Sequence, residues 1–271
     1  MQDYGATMST SEKIMYSTVK IEAGNSIGTG FFFLLKVDDK QYSILITNKH
    51  VVNYNENETV SFYLHLIDND GNEDNCYKIT WDTQWHFHPD KDLCFTFAGP
   101  LMNTIKEKTG KTVKYAQFTD DLIISNESLK KLSAVEEVVM VGYPNGLWDN
   151  VHNYPLFRHG YTSSHPGYDF NNRGLGVVDI AAFPGSSGSP VFIFNQGTYV
   201  SGKSVNVGDR LIFLGVLSSG ALMGVNGEIT EVEAPTSAGY IVTSKMMMNL
   251  GYYIRAENIL DFKKTIKDVI S

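Results

Sequence analysis

Short runs of apolar residues, separated by turn residues, cover most of the chain. Phe31 to Leu35 and Tyr42 to Ile46 lie on either side of an Asp38-Asp39-Lys40 turn. The other runs are Val60 to Ile67, Val138 to Val141, Val177 to Ala181, Val191 to Phe194, Leu211 to Leu217 and Tyr240 to Thr243. Runs of this length, bounded by Gly, Asn and Asp, are typical of strands. The pattern predicts an all-β protein, a sandwich or a barrel.

Two segments have helical spacing instead. Ser128 to Glu136 carries apolar residues three apart and predicts a short helix near the junction of two halves. Residues 256–270 predict a C-terminal helix that packs on the body. The residues on the apolar faces of these two helices are Leu129, Leu132 and Val135 in the first and Ile259, Phe262, Ile266 and Val269 in the second.

Composition and charge argue against some classes of function. The 271 residues are 42% apolar, enough for the core of one domain spanning residues 1–271. With 22 basic and 30 acidic side chains the formal charge is −8, which argues against a sequence-independent nucleic-acid binder. No apolar stretch approaches the roughly 18 residues of a membrane helix. We therefore expect neither nucleic acid nor membrane as a partner.

The N-terminus and the cysteines bear on location. Met1 to Lys20 is polar and has no secretory signal pattern. Cys76 and Cys94 are too few for a disulfide-stapled secreted domain, so we expect two reduced thiols in the core. A cytoplasmic location fits both observations.

Residues 185–190, Gly-Ser-Ser-Gly-Ser-Pro, are the most informative segment. A nucleophilic serine needs a tight turn that exposes its hydroxyl, and glycine permits that backbone path. Ser187 is the candidate nucleophile, and the N–H groups of Gly185 and Ser187 are candidates for an oxyanion hole. Taken alone, such a segment is equally typical of an ordinary loop.

Two further residues complete a constellation. His50 directly follows an apolar run, and the ordinary pKa of an imidazole suits a general base. Asp92 heads another apolar run, where a buried carboxylate needs a partner such as an imidazole N–H. Asp90 is the rival for this role. The chain order His, Asp, Ser is that of chymotrypsin-type enzymes.

The surrounding motifs resemble those of HtrA-type trypsin-like peptidases. The matching stretches are residues 45–52 (Leu-Ile-Thr-Asn-Lys-His-Val-Val), 179–190 around the serine, Gly28 to Phe31, Val141 to Pro144 and Gly215 to Ser218. The resemblance covers about residues 19–243. It implies a chymotrypsin-like fold of two six-stranded antiparallel barrels, at about 15–110 and 111–250. It also implies a serine endopeptidase that needs no cofactor and acts on protein or peptide substrates.

The sequence departs from the patterns of HtrA-type and secreted trypsin-like peptidases in two places. Only a helix-sized tail follows Thr243, so we expect no PDZ module of the kind that HtrA proteins carry. Secreted trypsins pair a freed N-terminus with an Asp just before the nucleophile, and Ser186 stands there in this chain. Activation by N-terminal cleavage is therefore not expected.

The resemblance also implies the substrate contacts. The pocket for the P1 side chain, which precedes the cleaved bond, would include Ala181, Ala182 and Leu217. The residues that would pair with the substrate backbone are Ser218, Ser219 and Gly220. Because Ala181 and Leu217 carry no charge, we expect an apolar P1 residue. A charged residue from elsewhere, such as Arg173, Asp209 or Arg210, would change that preference.

Other interpretations stay open. The chain could be a conditional protease that an activating partner switches on, or a non-catalytic binding module of the same fold. His86 and His88 alternate on a predicted strand, but no further close ligand completes a metal site. The sequence indicates no oligomeric state.

Overall fold

Strands form most of the molecule, as the apolar pattern predicts. The computed structural model describes residues 8–229 and 240–270, and for residues 222–229 and 240–247 it describes the backbone. The helices are α1 (Thr10–Ser17), α2 (Ala98–Thr109), α3 (Asn126–Leu129) and α4 (Phe262–Ile270). The strands of the first half are β1 (Thr18–Ala23), β2 (Ser26–Val37), β3 (Lys40–Thr47), β4 (Thr59–Ile67), β5 (Glu73–Asp82), β6 (His86–Phe87), β7 (Cys94–Phe97), β8 (Thr112–Val113) and β9 (Phe118–Thr119). Those of the second half are β10 (Glu137–Gly142), β11 (Leu156–Thr162), β12 (Leu175–Asp179), β13 (Pro190–Asn195), β14 (Thr198–Ser201), β15 (Ser204–Val207), β16 (Arg210–Ile229) and β17 (Tyr240–Arg255).

The strands divide into two units along the chain. Among the described residues, β1 to β9 form one sheet in the order β5-β4-β1-β2-β3-β7-β6, with β8 beside β4 and β9 beside β2. The second unit is a closed six-stranded barrel in the order β10-β11-β12-β17-β16-β13. The all-β, chymotrypsin-like fold class is therefore confirmed. The prediction of a six-stranded barrel in the first half is wrong in detail: the nine described strands there form a sheet whose hydrogen-bonded order runs from β5 to β6, and β9 pairs in parallel with β2.

Alternating side chains divide the core into three clusters. In β2, Phe31 and Phe33 join a cluster between the two units, whereas Phe32 enters the interior of the first unit. In β10, Val139 and Val141 join the same interface cluster, while Met140 enters the barrel. This two-residue period is what a strand buried on both faces requires. The interface cluster therefore ties the two units together.

Three helices differ from the sequence-based prediction. Helices α1 and α2 were not predicted from the sequence. The helix predicted over Ser128 to Glu136 instead spans Asn126–Leu129, and the Ser125 side chain caps its start. Beyond it, the Glu136 N–H donates to Thr162 Oγ1 at 2.9 Å, and the buried Glu136 carboxylate pairs with Arg210.

The C-terminal helix packs as predicted but starts later. Residues Ala256–Asp261 form a 3-10 turn, and the α-helix begins at Phe262. Phe262 and Ile266 are fully buried in the interface cluster, while Val269 is about half exposed. In the described part of the chain no helix is long and apolar enough to cross a membrane.

Both cysteines are unpaired thiols. Cys94 is fully buried on β7, and burial raises the pKa of its thiol well above the ordinary value. Cys76, on β5, is only half-buried.

Candidate active site

The turn that carries His50 is anchored by the core. His50 lies in a 3-10 turn, Lys49–Val52, directly after β3. Its neighbours Val51 and Val52 are buried in the first unit, while about a third of the His50 side chain is exposed. The core thus fixes the backbone, and the imidazole remains partly open to solvent.

Asp92 meets His50 through both carboxylate oxygens. His50 Nδ1 lies 2.6 Å from Asp92 Oδ2, and the backbone N–H of His50 donates to Asp92 Oδ1 at 3.2 Å. Asn48 Nδ2 donates to the backbone carbonyl of Asp92 at 2.7 Å. A carboxylate can only accept, so Nδ1 carries the proton and Nε2 is left as the basic nitrogen.

Asp90, the rival, is not brought to His50. Its backbone N–H donates to Nδ1 of His88 at 3.1 Å, and its side chain is exposed. His88 Nε2 is in turn 3.1 Å from Asp261, so His88 links this loop to the C-terminal turn. His86 stacks on Phe95 at 4.9 Å. The described residues hold no cluster of three metal ligands.

The backbone of Ser187 is held by β2, the strand that pairs with the one leading to His50. The backbone N–H of Thr29, on β2, donates to the Ser187 carbonyl at 2.8 Å. The Thr29 carbonyl accepts from Thr47 Oγ1 at 2.7 Å, and Thr47 is the last residue of β3, three residues before His50. The Ser187 turn and the His50 turn are therefore linked through Thr29.

Thr29 also organises the loop before Ser187. Its hydroxyl donates to the Gly185 carbonyl at 3.0 Å and accepts from the Tyr143 amide at 3.2 Å. The sequence singled out Thr29 only as part of a family-like motif. Its role as a junction needs the fold, because its partners Tyr143, Gly185 and Ser187 lie more than 100 residues away.

The Ser187 turn needs glycine on both sides. Gly185 and Gly188 have φ of +85° and +84°, in the left-handed region. A Cβ on Gly188 would lie 1.8 Å from the Thr29 carbonyl oxygen, so the approach of β2 excludes any side chain there. The sequence-based reason for glycine, a tight backbone path, agrees with this geometry.

The Ser187 hydroxyl and the backbone amides of Gly185 and Ser187 form no hydrogen bond with the described residues. Within residues 8–229 and 240–270, Ser187 Oγ makes no hydrogen bond, to His50 or to any other group, and the N–H groups of Gly185 and Ser187 donate to no acceptor. In ligand-free enzymes the nucleophile–base contact is often long and tightens when substrate binds. The arrangement leaves a hydroxyl and two amides available to a ligand.

A family model for the trypsin-like peptidase domain matches residues 28–201, which include His50, Asp92 and Ser187. The chain belongs to this family. No curated protein matches the sequence significantly.

Three crystal structures are similar to this peptidase domain. The Rv3671c protease in an inactive form is 16% identical, with a TM-score of 0.45 over 93% of this chain and 90% of that chain. An inactive serine-to-alanine variant of Rv3671c from M. tuberculosis H37Rv is 15% identical, with a TM-score of 0.44 over 99% and 95%. The thermostable serine protease AL20 from an extremophilic microorganism is 14% identical, with a TM-score of 0.45 over 94% and 99%.

Among the described residues, one strand edge beside Ser187 has no neighbouring strand. Strand β16 pairs with β13 as far as Val216; the Gly188 N–H then donates to the Leu217 carbonyl, and the Leu217 N–H donates to the Ser189 carbonyl, both at 2.9 Å. Ser219 is exposed, and Ser218 and Gly220 are half-buried. The side of this segment that faces away from β17 is therefore available to an added strand.

The residues expected to form the P1 pocket lie together at one end of the barrel. Ala182 and Leu217 are both buried in the barrel cluster. Ala181, which is half-buried, accepts a hydrogen bond at its carbonyl from Arg158 Nη1. Arg158 was not singled out from the sequence.

Tyr54, Asp179 and His159 lie outside the three candidate catalytic residues. Tyr54 lies near enough to Asp92 that partial burial and the negative charge of that carboxylate raise the pKa of its phenol. Asp179 accepts from Asn249 Nδ2 at 2.7 Å, as a residue that supports the loop, and His159 is exposed on β11.

Proposed function

We propose that this trypsin-like peptidase domain is a serine endopeptidase in which His50, Asp92 and Ser187 act as a catalytic triad. The observation that carries the proposal is the two-point contact of Asp92 with His50, in a turn joined through Thr29 to the glycine-flanked Ser187. An ordinary loop histidine needs neither the fixed tautomer nor a serine turn docked beside it.

The mechanism follows from these roles. His50 Nε2 takes the proton of Ser187 Oγ as the oxygen attacks the peptide carbonyl, and the tetrahedral oxyanion accepts from the N–H groups of Gly185 and Ser187. The imidazolium, stabilised by Asp92, gives its proton to the leaving amine, and the acyl-enzyme forms. Water then repeats the sequence with His50 as base, which releases the acid product and restores Ser187.

The open edge of β16 supports an extended substrate. A peptide that adds as a strand along Ser218 to Gly220 would present its carbonyl beside Ser187, because the Gly188 amide already bonds to Leu217 on the same strand at 2.9 Å. Protein and peptide chains are the substrates that this mode of binding takes.

Fluorophosphonate labelling tests the nucleophile. Wild-type protein should be labelled at Ser187, and Ser187→Ala should lose labelling and about 10⁶-fold in kcat. Ser186→Ala is the matched control, because Ser186 is adjacent and buried and should leave labelling intact. Label that persists on the Ser187→Ala variant would refute the assignment. Label that appears only after a partner is added would instead support the conditional protease.

A further inference from the structure

An arginine side chain enters the barrel beside the serine turn. Arg158, on β11, is in register with Met140 on β10. Cross-strand partners project from the same face of a sheet. Met140 is fully buried in the barrel cluster together with Ala182 and Leu217. Arg158 therefore projects into the end of the barrel where the P1 pocket is expected.

The guanidinium of Arg158 reaches the pocket but lacks an anion. Its Nη1 donates to the carbonyl of Ala181, six residues before Ser187. Its Nε and Nη2 are buried, and among the described residues they contact neither a hydrogen-bond acceptor nor a carboxylate. These two nitrogens form the edge with which arginine holds a carboxylate in bidentate fashion.

The other two arginines with little exposure have carboxylate partners. Arg210 pairs with Glu136, and Arg255 Nε lies 3.1 Å from Glu257. Burial lowers the pKa of Arg158 to about 10, so the group stays charged at neutral pH. A buried charge without a partner is costly, and a fold keeps one where an outside group completes it.

We propose that Arg158 recognises an acidic side chain at P1 of the substrate. The inference rests on the proposed endopeptidase function and names its specificity. The carboxylate of a P1 Glu or Asp would accept from Nε and Nη2 while Nη1 keeps its bond to Ala181. Because Nε and Nη2 are closed off from solvent in the ligand-free site, the P1 side chain would reach them by displacing the groups that cover them.

The three charged residues considered from the sequence do not supply this charge. Arg173 has an exposed side chain, and Arg210 is occupied by Glu136. Asp209 accepts from the Gly197 amide at 2.9 Å. The sequence-based expectation of an apolar P1 residue rested on Ala181 and Leu217. A preference for the Leu peptide is therefore the competing outcome of the test.

The test uses the full chain and fluorogenic peptides that differ only at P1, with Glu, Asp, Gln, Leu or Lys. Wild type should cleave the better acidic peptide with kcat/KM roughly 10- to 100-fold above that for Leu, the range of a charge-assisted hydrogen bond. Arg158→Met should lose that advantage, so that its ratio of kcat/KM for the acidic peptide to that for the Leu peptide falls to about 1 or below. Arg173→Met is the matched control and should keep the wild-type profile.

Two further measurements separate the outcomes. Fluorophosphonate labelling of all three proteins reports the Ser187 machinery independently of P1. The unfolding midpoint of Arg158→Met should equal or exceed that of wild type, because an unpaired buried charge is removed. A merely structural arginine would lower it.

Labelled wild-type protein that prefers Leu, Gln or Lys overturns the role of Arg158 alone. Wild-type protein that neither labels nor cleaves overturns the peptidase proposal and the inference with it. The wild-type profile decides the question even where Arg158→Met fails to fold.

Discussion

The carboxylate of Asp92 holds His50 at the ring and at the backbone amide. The second contact, between Asp92 Oδ1 and the His50 N–H at 3.2 Å, also fixes the turn that carries the histidine. Asp90, two residues earlier, is exposed and turned toward solvent. The two aspartates therefore differ in geometry although they are neighbours in sequence.

This difference gives a paired prediction. Asp92→Asn should lower kcat by about 10⁴-fold, because an amide in place of the carboxylate favours the wrong imidazole tautomer. Asp90→Asn should change kcat by less than about threefold, since no imidazole contact is lost. Steady-state kinetics on one peptide substrate measures both. A larger loss in Asp90→Asn would transfer the role to that residue.

The sequence revealed some residues of the site and missed others. The difference is whether a residue belongs to a short recognisable motif or acts through partners distant in sequence. His50, Asp92 and Ser187 each lie within a short motif at a strand end, so the sequence alone brought them forward. Thr29 and Arg158 act through partners far along the chain, such as Gly185 and Ala181. Only the strand register reveals contacts of that kind.

At the scale of elements, the turn between β12 and β13 depends on how closely β2 approaches it. Gly188→Ala should destabilise the protein by roughly 2 kcal/mol or more and reduce activity, because Cβ would displace the Thr29 carbonyl. Urea denaturation and kcat/KM measure the two effects.

The control substitution Gly197→Ala separates the energetic cost of backbone strain from that of steric contact. Gly197 has φ of +81° with open space around it, whereas Gly188 has φ of +84° and Thr29 in contact. The control should cost about 1 kcal/mol from backbone strain and leave activity intact. Equal effects of the two substitutions would show that β2 does not determine the turn.

Helices were harder to predict than strands, for physical reasons. Helix α2 begins with Ala98-Gly99-Pro100, which is typical of a turn, yet proline is tolerated in the first turn of a helix. Its burial of Leu101 and Ile105 against the first unit stabilises it. The helix predicted over Ser128 to Glu136 ends at Leu129, and Glu136 pairs instead with Arg210 of the barrel. In both cases tertiary contacts outweigh local preference.

At the scale of the molecule, His65 joins the two units. It lies on β4, is buried, and its Nε2 donates to the carbonyl of Asn153 in the loop after β10, at 3.1 Å. The ring packs edge-on against Tyr16 of α1 at 4.8 Å. One neutral imidazole thus contacts the N-terminal helix, the first sheet and a loop of the second unit.

Acid should weaken this junction. Burial lowers the pKa of His65 from 6.5 to about 4, opposed by the bond to Asn153. As the pH falls, His65 therefore binds a proton at a higher pH in the unfolded chain than in the folded one. The contribution of His65 is complete above pH 6.5 and is lost as pH falls toward 4, by up to about 3 kcal/mol.

Urea denaturation at pH 7 and pH 4.5 measures this loss. The variant His65→Gln removes the titrating group and should show a smaller difference between the two pH values than wild type. The same difference in both proteins would mean that other groups cause the acid sensitivity.

The N-terminus provides a second prediction for the whole molecule. Residues Met1 to Thr7 lie outside the described residues, and Ser186 replaces the acid that a freed N-terminus would pair with. Deleting Met1 to Thr7 should leave kcat/KM within about threefold. Comparison of tagged, untagged and deleted chains measures it, and a strict requirement for a free, cleaved N-terminus would contradict it.

The closing strand of the barrel also determines when the site can form during translation. Strand β17 pairs with both β12 and β16, so the barrel that carries Ser187 stays open until Tyr240–Arg255 has left the ribosome. A nascent chain folds from its N-terminus, so His50 and Asp92 can meet while Ser187 still lacks its barrel. The order of the strands thus delays closure of the barrel that carries Ser187 until residue 255 has been synthesised.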